Sequence, residues 1–116
     1  LYDFIFSRAG GSNMGIYRYL RENPDCGIYT AGMDVDQSPY STLIAGSMVK
    51  YIDLVLYDYL YKWYYRTEVP SHRSFGLQSG YIDWVIPDRY NYLIPTIDAL
   101  KQEAISKEQE YEESRR

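Results

Sequence analysis

Cysteine and histidine are nearly missing from this chain: its 116 residues contain one of each, Cys26 and His72. A lone cysteine excludes an internal disulfide and any cysteine-cluster metal site. A lone histidine beside Arg73, in a segment bounded by serine and proline, reads as a solvated loop residue. With the only histidine in a loop, no Ser-His-Asp or Cys-His arrangement is available, and no nucleophile has a credible base. The chain therefore reads as a non-enzyme, with no cofactor and no resident metal. A basic surface is also lacking. The formal net charge is −4 and the lysines and arginines are scattered, so the footprint of a phosphate-backbone partner is absent and no nucleic-acid partner is expected. No apolar run reaches the ~18 residues that a membrane-spanning helix needs. Phenylalanine is scarce, at three residues against fifteen tyrosines. Tyrosine packs its ring and keeps a hydroxyl that wants a partner or water, so the tyrosines are expected as amphipathic packing at the rim of a core.

The length suffices for one small domain that buries roughly two-thirds of its unfolded surface. The chain opens at Leu1 on a strand-like run and reads as a piece of something longer, so the lack of a signal peptide says nothing of compartment. Residues 1–8 alternate and predict a strand ending at Ala9. Ser12 or Asn13 caps the next helix, with Ile16, Tyr17 and Leu20 on its apolar face, and Asn23-Pro24-Asp25 stops it. Residues 26–32 predict a second strand and 36–41 a loop. Residues 42–48 predict a third strand, thinned by Ala45 and Gly46, where small residues mark a close approach. From 50 to 66 the period is helical, with Ile52, Val55, Leu56, Tyr59, Leu60 and Trp63 on one face. A loop from 67 to 74, opened by Pro70, precedes a predicted hairpin: residues 75–77 and 81–86 flank the turn Gln78-Ser79-Gly80. Pro95 suits the first turn of a last helix with Ile97, Leu100, Ala104 and Ile105 as its buried stripe, and a charged, solvated end follows. The resulting class is α/β: a parallel sheet flanked by helices, then a late β-hairpin and a C-terminal helix.

Two strand ends carry the chemistry. Gly10-Gly11 lies between a strand and a helix N-terminus, where backbone N–H groups and the positive end of the helix dipole meet a ligand. It is neither a G-x-G-x-x-G fingerprint nor a Walker A loop. Asp34 and Asp36 flank Val35, and on an extended segment they point the same way. Two carboxylates so placed could hold a divalent cation, but no third acid or histidine is near. A carboxylate at a strand end also accepts two hydrogen bonds from a vicinal diol, as the ribose-binding acid of dinucleotide folds does. Lys50 closes the third strand and could donate to a sugar oxygen at the same edge. Each of these has an ordinary structural reading beside it: a tight turn, a capping aspartate, a surface lysine.

Ala9-Gly10-Gly11-Ser12-Asn13-Met14-Gly15, Gly32-Met33-Asp34-Val35-Asp36-Gln37 and Gly46-Ser47-Met48-Val49-Lys50, followed by Ile52-Asp53-Leu54-Val55-Leu56-Tyr57-Asp58, resemble the basic membrane protein family. These are nucleoside-binding lipoproteins of bacterial ABC uptake systems, with a type I periplasmic-binding-protein fold. Phe75-Gly76-Leu77 and the glycine turn after it resemble the family's late hairpin, so the match is collinear over residues 1–86. The resemblance implies two α/β lobes closing on a purine-type nucleoside. Residues 1–66 would be a βαββα segment of the second lobe, and 67–116 the return hairpin and C-terminal helix with its charged tail. Carried over by motif, Gly11 would approach the ligand through its backbone, Asp34 would accept from the ribose hydroxyls and Lys50 would donate to the ribose; Gly10 and Asp36 join the candidate ligand-binding set from their own places at the strand ends. Val35 stands where the family has serine, Ser12-Asn13 where it has Thr-Gly, and Tyr51-Ile52 where it has Arg-Val.

The implied function is that of a substrate-binding component of an ABC-type uptake system, recognising a nucleoside through its ribose. Its partners would be a nucleoside-like ligand, the transporter permease and a second copy through exposed lobe surface. Its place would be outside the cytoplasm, anchored as a lipoprotein. The alternatives are a cytoplasmic ligand-sensing regulator of the same fold and a small nucleotide-dependent enzyme built on the Gly10-Gly11 turn.

Overall fold

The computed structural model describes residues 3–69, 71 and 73–115; the expectations for Leu1, Tyr2, Pro70 and His72 lie outside the described residues. The elements run β1 (Phe4–Ile5), α1 (Asn13–Glu22), β2 (Tyr29–Asp34), β3 (Ile44–Lys50), α2 (Ile52–Tyr64), β4 (Ile82–Val85) and α3 (Ile94–Ser114). The four strands form one sheet in sequence order, and β1–β2 and β2–β3 pair in parallel. This is an α/β protein with a mostly parallel sheet and a C-terminal helix. The chain divides into two compact units, residues 1–49 with 84–95, and residues 50–83 with 96–116.

The first unit is built on β2 and β3. Their register pairs Gly32 with Ser47 and Asp34 with Val49, after a shift between Thr30 and Ala31. α1 presents Tyr17 and Leu20 at the predicted spacing, and both are buried together with Ala31, Ile44 and Val49. Full burial of a side chain such as Leu20, Ile44 or Val49 contributes about 1.5–3 kcal/mol. Tyr17 donates from its hydroxyl to the Ala31 carbonyl at 3.3 Å and stacks on Tyr40 at 6.2 Å, so ring and hydroxyl are both used. Gly46 is where the predicted close approach occurs: the Trp84 indole lies on it, and a Cβ there would fall 2.5 Å from Nε1. Phe6 meets the same indole edge-on, with ring centroids 6.3 Å apart.

Boundaries of the two inner strands differ from the expected ones. β2 starts at Tyr29, not at residue 26, because Gly27 adopts φ +73 and Cys26 closes a turn onto the Asn23 carbonyl. β3 starts at Ile44, not at 42. The carbonyls of Ser38, Ser41, Thr42 and Ile44 instead accept from the Arg89 guanidinium at 2.6–3.1 Å, which holds this segment as a loop. Ser12 makes no side-chain cap and is already helical in backbone. Asn13 is turned inward and braces the preceding loop.

In the second unit the predicted hairpin is corrected. Gly80 closes the turn at φ +79, but residues 75–77 form no strand. The N–H groups of Leu77 and Gln78 donate to the Glu108 carboxylate of α3, at 3.2 and 3.1 Å, in place of a ladder. The packing face of α2 is corrected as well. Its half-buried stripe is Val55, Asp58, Tyr59 and Lys62, while Ile52, Leu56, Leu60 and Trp63 lie exposed, Trp63 at 72%. The Tyr81 hydroxyl bonds Asp58, which turns that side of the helix inward. On α3 the half-buried stripe is Ile97, Lys101, Ile105 and Glu108, and the predicted Leu100 and Ala104 are exposed. Lys101 is drawn inward by Asp83 at 2.8 Å, and Glu108 by the two N–H groups it serves.

Candidate functional site

The strand-to-helix junction after β1 is a single 3-10 turn, Gly10–Ser12, that runs straight into α1. Gly10 holds φ +58, a left-handed backbone that favours glycine. Asn13, 3% exposed, fixes the junction: its Oδ1 accepts from the Ala9 N–H and its Nδ2 donates to the Ser7 carbonyl, both at 3.1 Å. The N–H groups that open a helical turn have no acceptor within it, so this junction offers donors to a ligand.

β2 ends in a second irregularity. Asp34 has φ +73, and the Val35 N–H closes a three-residue turn onto the Met33 carbonyl at 2.9 Å. Such a backbone costs a residue other than glycine on the order of 1–3 kcal/mol and is held only where its surroundings impose it. Gln37 imposes it here. Its side-chain amide donates to the Met33 carbonyl at 3.3 Å and its N–H donates to the buried Ser47 Oγ at 3.0 Å. Gly32 makes room for this arrangement, since a Cβ would collide with Ser47 and Gln37.

Gly10, Gly11, Met14, Tyr17, Asp34 and Gln37 line one cavity of about 270 Å³, just below the range of whole small-molecule sites. It lies at the carboxyl ends of parallel strands, where open α/β sheets take their ligands. Three of the five predicted site residues thus come together. Asp36 does not join them. The positive φ at Asp34 breaks the extended geometry that would have aligned the two carboxylates. Asp36 Oδ1 instead accepts from the Ser38 N–H at 3.0 Å and the Ser47 hydroxyl at 3.5 Å, and the residue lines a separate cavity with Pro39, Pro87 and Arg89. Lys50 belongs to the second unit, where it lines an apolar cavity of about 210 Å³ with Tyr51, Val55, Phe75 and Tyr81.

Sequence reasoning gave no role to Gln37 or Ser47 and treated Tyr17 as core alone. Gln37 and Ser47 stand inside the quoted motifs, but the contacts by which they hold the Asp34 turn are to main-chain groups that no spacing rule reveals. Among the described residues no group of three or more His, Cys, Asp or Glu could hold a metal ion, and no helix is long and apolar enough to cross a membrane.

Burial pushes the Tyr17 phenol above its ordinary value near 10, with hydrogen bonding to Asn13 pulling the other way. The folded state therefore keeps a proton that the unfolded state releases. Stability from this group is full below about pH 10 and is lost as pH rises through the folded value. Thermal melts are expected to fall more steeply above pH 10 in the parent than in Tyr17→Phe; equal slopes would remove Tyr17 as a contributor.

The chain is an α/β protein with a small cavity at the strand ends. A scan against protein-family models and a search of curated proteins gave no match to this chain.

Proposed function

We propose that this chain forms one wall of a nucleoside site, the ribose-facing edge of a substrate-binding component of an ABC-type uptake system. The reading extends the resemblance to the basic membrane protein family and places the sheet within a type I periplasmic-binding-protein fold, in a receptor held outside the cytoplasm by a lipid anchor. One observation carries it: Asp34 is held at a strained backbone position on the wall of the Gly10-Gly11 cavity. A carboxylate accepts through both oxygens and donates nothing, which suits the two hydroxyls of a ribose. Among the described residues no lysine or arginine lines the cavity, so a neutral sugar fits it better than a phosphate does.

In the two-lobed receptor that this reading implies, a purine nucleoside is expected to bind at least tenfold more tightly than its 2′,3′-dideoxy counterpart. Hydrogen bonds to a charged acceptor are worth about 1.5–3 kcal/mol, and a tenfold change in affinity needs about 1.4. Isothermal titration with the two ligands reads the difference. Equal affinities would dismiss the ribose assignment, and tighter binding of the 5′-phosphate accompanied by turnover would favour the enzyme reading.

A further inference from the structure

α2 is apolar around more of its circumference than its own unit covers. Its half-buried stripe is Val55, Asp58, Tyr59 and Lys62. Successive helical residues turn by about 100°, so the line opposite that stripe is Asp53, Tyr57, Leu60 and Tyr64, with Leu56 and Tyr61 beside it. All six are exposed, from 53% at Tyr61 to 73% at Tyr64 among the five apolar ones. An aromatic side chain carries about 150–250 Å², so this patch presents roughly 600 Å². That is the upper end of what monomers leave exposed and most of the ~800 Å² that each partner buries in a stable interface.

The 4-3-4 spacing of the line is that of a helix-pairing seam. It is also self-complementary. When two α2 helices lie antiparallel about a twofold axis between positions 58 and 59, Tyr57 of each meets Leu60 of the other. Asp53 then meets Tyr64, whose phenolic hydroxyl donates to the carboxylate. The same patch supplies both sides, as an isologous interface requires. The rings are already ordered: Tyr57 stacks on Tyr61 at 6.1 Å and Tyr61 lies 4.6 Å from Tyr65. This ladder lowers the side-chain entropy lost on association.

We propose that α2 is a homodimer interface, packed antiparallel along Asp53, Tyr57, Leu60 and Tyr64. The inference stands apart from the nucleoside reading. Sedimentation velocity of the chain between about 1 and 200 μM, the range in which micromolar affinity shows, tests it together with two variants of matched chemistry. Leu60→Lys lies on the seam, and Leu54→Lys lies a quarter-turn from it. Both sites are exposed, and circular dichroism verifies that the fold is kept. The expected result is a reversible dimer, weakened at least tenfold by Leu60→Lys and unchanged by Leu54→Lys. A monomer throughout, including one that instead co-sediments with lipid vesicles, would overturn the proposal. So would a dimer indifferent to Leu60→Lys, or one weakened equally by both variants.

Discussion

Gly46→Val is expected to destabilise the protein by about 3 kcal/mol or more, a large part of the 5–15 kcal/mol that a domain commands. A Cβ at residue 46 would lie 2.5–2.7 Å from three atoms of the Trp84 indole, inside van der Waals contact. Phe6 stands edge-on against the indole, so movement to that side displaces a second ring. Overpacking alone costs about 1–3 kcal/mol, and a tryptophan levered out of its seat forfeits packing worth about as much again. Denaturant unfolding measures the loss. In a Trp63→Phe background the emission of Trp84 is expected to move to longer wavelength. Gly15→Ala is the control: Gly15 is exposed within α1 with open space where its Cβ would be, and alanine there is expected to gain up to about 1 kcal/mol. A Gly46→Val protein as stable as the parent would contradict the packing described here.

The same glycine shows what a sequence conveys. Small residues within a strand pattern point to a close approach, and Gly46 makes one. What approaches is an indole from residue 84, about forty positions on, and no local rule names it. The helix at 52–64 was legible from its period, whereas its packing face was not. Asp53, Asp58 and Lys62 are the only charges among its residues, so apolar side chains surround the axis and periodicity selects no single face. The side that packs contains two of those charges, because Tyr81 bonds Asp58. The hairpin failed for a related reason. Gln78-Ser79-Gly80 is a turn, but the N–H groups before it are served by a carboxylate thirty residues later in α3.

At the candidate site, glycine after a strand and an acid after a strand were sufficient to place Gly10, Gly11 and Asp34 on one cavity wall. The alternation rule then misplaced Asp36, since it presumes extended backbone and Asp34 is not extended. The groups that impose this conformation, Gln37 and Ser47, act on main-chain atoms. Their sequence signal is only that they sit inside motifs whose other members looked functional.

Asp34 gives the second large effect, and it separates binding from folding. Alanine and glycine at this position both remove the carboxylate, so both are expected to weaken nucleoside binding by at least tenfold, about 1.5 kcal/mol or more. They differ in backbone. At φ +73 alanine keeps the strain and glycine releases it, so Asp34→Gly is expected to be more stable than Asp34→Ala by about 1 kcal/mol. Unequal binding losses that follow the stability difference would mean that Asp34 acts by shaping its turn, not by touching ligand. The most direct measurement is calorimetric titration of a purine nucleoside into the parent receptor and into Asp34→Ala, with thermal unfolding to verify that the variant is folded. A ribose-binding Asp34 gives at least a tenfold loss of affinity. A folded Asp34→Ala protein that binds the nucleoside as tightly as the parent would contradict it.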